Sequence, residues 1–297
     1  MTDLIRVCGL TKRYGTKTVL DNVSLSVPKG GITGFVGANG AGKTTTIRAI
    51  LGLMPLDAGT VELFGEPFGI NSSQSVNARI KSRIGVVLDT CPYIGDLPVK
   101  TTSSIMKAAF KSWRQGRFED YIDRFGLDPQ KKVKDLSRGM GMKLQLACAL
   151  AHEPDLLILD EATAGLDPLA RDEVLDILRE FVADDMHGIL ISSHITSDLD
   201  KIADTVACID GGRIVFDLPK DVITDEMGLA KCRTSQFEQI AASGAYQPNT
   251  MKFIRYEYGI DLLVYDRFAF KRSFPDVACE RLTIDEYMQL TLKGETR

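Results

Sequence analysis

Between residues 19 and 27 the chain reads "VLDNVSLSV", apolar and polar side chains in alternation up to a Pro-Lys-Gly-Gly turn. That period of two predicts a half-buried strand, and residues 4–9 predict another short strand before it. "GITGFVG" (31–37) is continuously apolar or small, the pattern of a strand buried on both faces. A glycine-rich turn follows, then "KTTTIRAILGLM", whose Ile47, Ile50, Leu51 and Met54 fall on one helical face. Strand, loop, helix is the predicted order there.

From about 90 to 135 the pattern turns helical and polar, with "TTSSIMKAAFKSWRQ" and "RFEDYIDRFGL" separated at Gly116. Residues 156–217 alternate again: strand "LLILD", helix "ARDEVLDILREFVA", strand "GILISSH", helix "ITSDLDKIA", strand "TVACID", a Gly-Gly turn and "RIVFD". Such alternation predicts an α/β sheet of parallel strands. Beyond Lys220 the character shifts, and residues 221–297 predict a small α+β appendage ending in the helix "TIDEYMQLTLKG". No internal repeat or low-complexity tract interrupts this order.

At 297 residues the chain exceeds one typical domain and has ample apolar content for a core. A formal net charge of −4 argues against a dominant nucleic-acid surface, so no nucleic-acid partner is expected. The six cysteines form no Cys-x-x-Cys pair and no ligand set with histidine, which reads as reduced, packed thiols. The start "MTDLIRVCGL" lacks a basic segment leading into a sustained apolar one, and no apolar run of membrane-spanning length occurs. The expected location is cytoplasmic, unless a partner holds the chain at a membrane.

"GANGAGKTT" (Gly37, Ala38, Asn39, Gly40, Ala41, Gly42, Lys43, Thr44, Thr45) fits G-x-x-x-x-G-K-[ST] between a strand and a helix. Backbone N–H groups at a helix N-terminus can wrap polyphosphate oxygens. Lys43 would reach the β- and γ-phosphates of ATP, Thr44 would ligate Mg²⁺, and Thr45 is placed for the α-phosphate. A second carboxylate site on a neighbouring strand completes such a chemistry, and "LLILDE" supplies it. Asp160 would hold Mg²⁺ and Glu161 would polarise the attacking water as general base. Taken alone, Asp160 and Glu161 also fit a plain strand end.

Together these motifs resemble the ATP-binding cassette family, the ATPase subunits of ABC transporters. The resemblance covers about residues 3–220. "LSRGM" (Leu136–Met140) is similar to that family's signature sequence, upstream of the Asp-Glu strand. The resemblance implies a P-loop NTPase of ABC type: an α/β core with an antiparallel β subdomain, a helical subdomain near 90–135, and the C-terminal appendage. It implies that Ser137 and the Gly139 N–H cap the γ-phosphate held by a second subunit. Tyr14 resembles the aromatic residue that stacks on adenine, although an exposed strand-turn tyrosine reads the same. "AGLD" (Ala164–Asp167) resembles the loop that touches the opposite subunit, and His194 the switch histidine that contacts the γ-phosphate. The closing helix resembles that of export-type ATPases of the bacterial drug, bacteriocin and acetoin branches.

Two departures stand out. Asp89 occupies the place of a usual glutamine after "RIGVVL"; it keeps an oxygen for Mg²⁺ or its water but adds charge and loses a donor. Arg138 and Met140 replace a common glycine and glutamine in the signature, and Ala162 stands where proline is usual. The implied function is an ATPase that dimerises around two ATP, with an identical or paralogous cassette, and energises a separate membrane permease at the inner face of the membrane, for export. A non-transport mechanical cassette is the alternative, but such proteins usually carry a long coiled coil, and only about 94 positions separate Lys43 from Ser137. A small-molecule kinase would share the P-loop yet have no use for "LSRGM" or His194.

Overall fold

The computed structural model describes residues 3–70, 72–247 and 249–297. Strands β1 (Asp3–Tyr14) and β2 (Lys17–Pro28) form an antiparallel hairpin, followed by β3 (Ile32–Val36), α1 (Lys43–Ile50), β4 (Ala58–Leu63), β5 (Glu66–Pro67), α2 (Gln74–Lys81) and β6 (Ile84–Val87). Next come α3 (Val99–Ala109), α4 (Gln115–Arg124), α5 (Arg138–Ala151), β7 (Leu156–Asp160), α6 (Pro168–Val182), β8 (Gly188–Ser192), α7 (Thr196–Ile202), β9 (Thr205–Asp210) and β10 (Arg213–Pro219). The remainder holds β11 (Gly228–Cys232), α8 (Thr234–Ala242), β12 (Lys252–Tyr256), β13 (Gly259–Val264), α9 (Arg267–Ser273), β14 (Ala278–Arg281), α10 (Ile284–Lys293) and β15 (Glu295–Thr296).

The first four-stranded sheet runs β2-β1-β4-β5 and is antiparallel. β1 pairs on both edges, with β2 and with β4, so its ladder carries it to Tyr14, past the short strand that hydropathy alone predicts. The central sheet runs β10-β9-β3-β8-β7-β6, with β3, β8, β7 and β6 parallel. Every residue of β3, β7 and β8 is buried, which is why these strands read as continuous apolar runs. Ile5, Leu10, Leu20, Phe35, Ile47 and Leu63 close one core around this end of the chain.

Two helices stop earlier than their periodicity predicts. α1 ends at Ile50, because Gly52 takes φ +65° and turns the chain away, leaving Met54 outside the helix. α3 ends at Ala109, and Gly116 lies inside the first turn of α4 and not at the break. The break at 110–114 is made by tertiary anchors on the end of α5. The Ser112 hydroxyl donates to the His152 carbonyl at 2.6 Å, the Arg114 N–H donates to the Ala151 carbonyl at 2.8 Å, and Phe110 stacks on the His152 ring with centroids 4.1 Å apart.

Burial of that ring lowers the His152 pKa from 6.5 to about 4, against a smaller opposing effect of its own backbone. Below pH 6.5 the unfolded chain therefore takes up a proton that the folded chain refuses. Stability is whole above pH 6.5 and is lost as pH falls towards 4, by on the order of 3 kcal/mol. Urea unfolding across that window checks this: His152→Leu is expected to flatten the pH slope by one proton.

The chain divides into two compact units. The first comprises residues up to Ile195 with Ala207–Asp217; the second comprises Thr196–Val206 with Leu218–Arg297. Sequence places the boundary at 220–221, but α7 belongs with the second unit. There α10 packs on α7, and the Ile284 N–H donates to Asp200 Oδ1 at 3.1 Å. Within the same unit the sheet β14-β11-β13-β12-β15 is antiparallel and buries Phe237, Phe253 and Leu262, so the α+β character predicted for this region is what the structure has.

Candidate active site

β3 delivers the chain into the loop Gly37–Gly42 at the edge of the buried sheet, and α1 starts at Lys43. Gly37 has φ +154°, and a Cβ there would stand 2.3 Å from the Ile209 carbonyl oxygen, so only glycine fits the exit from the strand. The buried Lys43 ammonium folds back over the loop, donating to the Gly37 carbonyl at 2.7 Å and to the Ala38 carbonyl at 3.4 Å. It also lies 3.8 Å from Glu161 Oε1. A cation held this way is preset against whatever anion enters the loop.

β7 lies two strands from β3, and its end brings the carboxylates to the same edge. Asp160 is buried and accepts at Oδ1 from the Ser192 hydroxyl, 2.5 Å away on the paired strand β8. Glu161 follows in the left-handed region at φ +57°, a strained setting for a side chain with a Cβ. That turn sends its carboxylate out of the sheet. Glu161 Oε2 lies 2.5 Å from His194 Nδ1 and accepts from the His194 N–H at 3.3 Å. Glu161 therefore sits between a fixed ammonium and an imidazole.

A cavity of about 460 Å³ gathers these groups: Ala38, Asn39, Gly40, Gly42, Lys43, Thr44, Thr45, Asp89, Arg138, Glu161 and His194 line it. Most of the residues expected from sequence to meet phosphate or water are thus brought together. Ala41 is buried in the loop, its N–H donating to the Ala38 carbonyl at 3.1 Å. Tyr14 does not line this cavity. It is exposed at the end of the β1–β2 hairpin, with the Lys12 ammonium 5.3 Å from its ring centre.

Ser137 is the N-cap of α5, its hydroxyl oxygen accepting from the Met140 N–H at 3.2 Å, which leaves the hydroxyl proton to donate elsewhere. Gly139 is buried beside the loop after Glu161; a Cβ there would meet Leu166 Cδ2 at 3.0 Å and the Gly165 carbonyl at 3.2 Å. Asp89 reaches the cavity, but its Oδ1 accepts from Arg138 Nη2, a partner that sequence does not assign to it. Gln145 is a second residue to which sequence assigns no role. Its buried amide holds both polar backbone groups of Leu88, accepting from the N–H and donating to the carbonyl at 3.0 Å each. A lone glutamine in the apolar run "LQLACALA" is the only sequence trace of that clamp.

Among the described residues, no three His, Cys, Asp or Glu side chains converge as a metal cluster. The Thr44 hydroxyl and the Asp160 carboxylate are hard oxygen donors that suit Mg²⁺, which takes its remaining ligands from phosphate and water. The donor set therefore fits that ion.

A parallel sheet whose P-loop and strand-end Glu161 line one polar cavity, with Asp160 buried just before Glu161, defines a nucleotide-hydrolysing P-loop protein. The sequence profile of the ABC transporter family matches residues 20–164. The bacitracin transport ATP-binding protein BcrA of Bacillus licheniformis is 35% identical over 223 residues, covering 74% of this chain and 71% of the relative. The Nod factor export ATP-binding protein I of Ralstonia nicotianae is 36% identical over 235 residues, 76% of this chain and 71% of its own. A solved ATP-binding subunit of an ABC transporter superposes with a TM-score of 0.67 at 26% identity, covering 82% of this chain and 95% of its own. The chain belongs to the ABC transporter family as an ATP-binding, ATP-hydrolysing subunit. Among the described residues, no helix is long and apolar enough to cross a membrane.

Proposed function

We propose that this ATPase drives export through a separate membrane permease, to which it binds at the cytoplasmic face, and that it does so as a dimer enclosing two ATP. The observation that carries the reading is the joining of the P-loop, Glu161, His194 and Arg138 of the signature around one cavity, in a chain similar to proteins named for bacitracin transport and Nod factor export. Gly37–Thr45 wrap the phosphates, Lys43 binds the β–γ end, and Tyr14 stacks on the base. Thr44, Asp160 and Asp89 would hold Mg²⁺, which would neutralise phosphate charge. Glu161 takes a proton from the attacking water, and His194, already hydrogen-bonded to Glu161, fixes the direction of that carboxylate. Ser137 and Gly139 serve the nucleotide of the partner subunit.

An apolar groove of about 310 Å³, lined in part by Leu53, Phe68, Leu88, Met106 and Phe110, supports seating a permease helix against the helical insert. Titration of Lys43→Ala with ATP tests the nucleotide assignment directly. A loss of affinity of at least about a hundredfold is expected, since a buried charge-assisted contact is removed. Unchanged affinity would sink the assignment of Lys43. Co-purification of the chain with a co-expressed candidate permease tests the transport half, and a chain that never co-purifies with one would count against it.

A further inference from the structure

Asp89 and Arg138 both depart from the pattern of the resembled family, and the fold brings them into contact. Arg138 Nη2 donates to Asp89 Oδ1, and both side chains are about half exposed at the cavity that also holds the P-loop. One helix fixes this stretch at two points. Gln145 lies seven positions beyond Arg138, two turns along the same face of α5, and clamps the backbone of Leu88 just before Asp89. The stem of Arg138 is held as well: a Cβ built on Gly165 would meet its Cδ at 3.3 Å and its Cγ at 3.7 Å. The aliphatic stem thus lies beside Gly165 while the guanidinium reaches Asp89. A carboxylate left bare at this rim would repel polyphosphate, whereas one paired with a guanidinium does not.

We propose that Arg138 is a positioning residue for the nucleotide site of its own chain: it neutralises Asp89 and holds it at the rim of the phosphate cavity. The proposal rests on the ATP-site reading above. Unpaired, Asp89 repels the Mg²⁺-free triphosphate more strongly than the less negative Mg²⁺ complex; unpaired, Arg138 attracts the free triphosphate more strongly than the complex. The quantity that reports the pair is therefore the ratio of ATP affinity in Mg²⁺ to ATP affinity in EDTA.

The experiment titrates the full chain with ATP in both media, for the parent, Arg138→Gln, Asp89→Asn, the double variant and Arg138→Lys. Arg138→Gln is expected to raise the ratio about three- to tenfold, mainly by weakening the EDTA arm, the range for a half-exposed unit charge beside the ligand. Asp89→Asn is expected to lower it by a similar factor. The double variant and Arg138→Lys should return to within about twofold of the parent, because each restores the local charge balance. A merely structural role weakens both arms alike; an unmoved ratio, or two single variants shifting it in the same direction, overturns the proposal. Parental chain that binds no ATP in either medium would overturn the ATP-site reading and this proposal together.

Discussion

Glu161→Gln is expected to keep ATP binding and to lose turnover by about a hundredfold to ten-thousandfold, the usual worth of a general base. The substitution preserves the shape of the side chain and an acceptor for His194, so the left-handed turn at Glu161 has no new reason to relax. It removes the negative charge 3.8 Å from the Lys43 ammonium. That ammonium then has one anion fewer to satisfy, which favours phosphate binding if it changes it at all. Affinity and rate should therefore separate: equal or tighter ATP binding by titration, with phosphate release close to background. A variant that hydrolyses ATP at the parental rate would remove Glu161 from the chemistry and leave its position between Lys43 and His194 as packing only.

Contiguity decided what could be read in the chain beforehand. Gly37–Thr45 is a local motif whose strand and helix are its immediate neighbours, so the loop and the place of Lys43 at the start of α1 were legible. β7 was legible to the residue, because full burial on both faces writes itself as an unbroken apolar run, and the buried centre of β9 reads the same way. What escaped depends on residues distant in sequence. The Arg138–Asp89 pair spans 49 positions and the Gln145–Leu88 clamp 57, and no propensity or period encodes either. The end of α3 is fixed by Ser112 and Arg114 bonding to the far end of α5, against a helical pattern that continues past it. The membership of α7 in the second unit likewise rests on Asp200 meeting Ile284, 84 residues on.

In a Glu161→Gln background, where ATP stays bound, the parent signature turn is expected to give dimers and Ser137→Asp monomers. Phosphate held by Gly37–Thr45 needs a cover for its γ end, and in the dimer reading that cover is Ser137 of the other subunit, whose hydroxyl proton is unspent by its capping bond. Aspartate is the informative replacement because it caps a helix as well as serine, so α5 keeps its first turn and folding is not at issue. It differs only in setting a carboxylate against the partner's γ-phosphate. In a two-fold dimer that repulsion acts at both sites. At roughly 1–2 kcal/mol per site, acting twice, the dimer dissociation constant rises by about thirtyfold to several hundredfold. Sedimentation velocity with ATP resolves the two masses. Dimers that persist unchanged in Ser137→Asp would detach the signature turn from the interface, and an absence of dimers in both chains would point to a different cassette as the obligate partner.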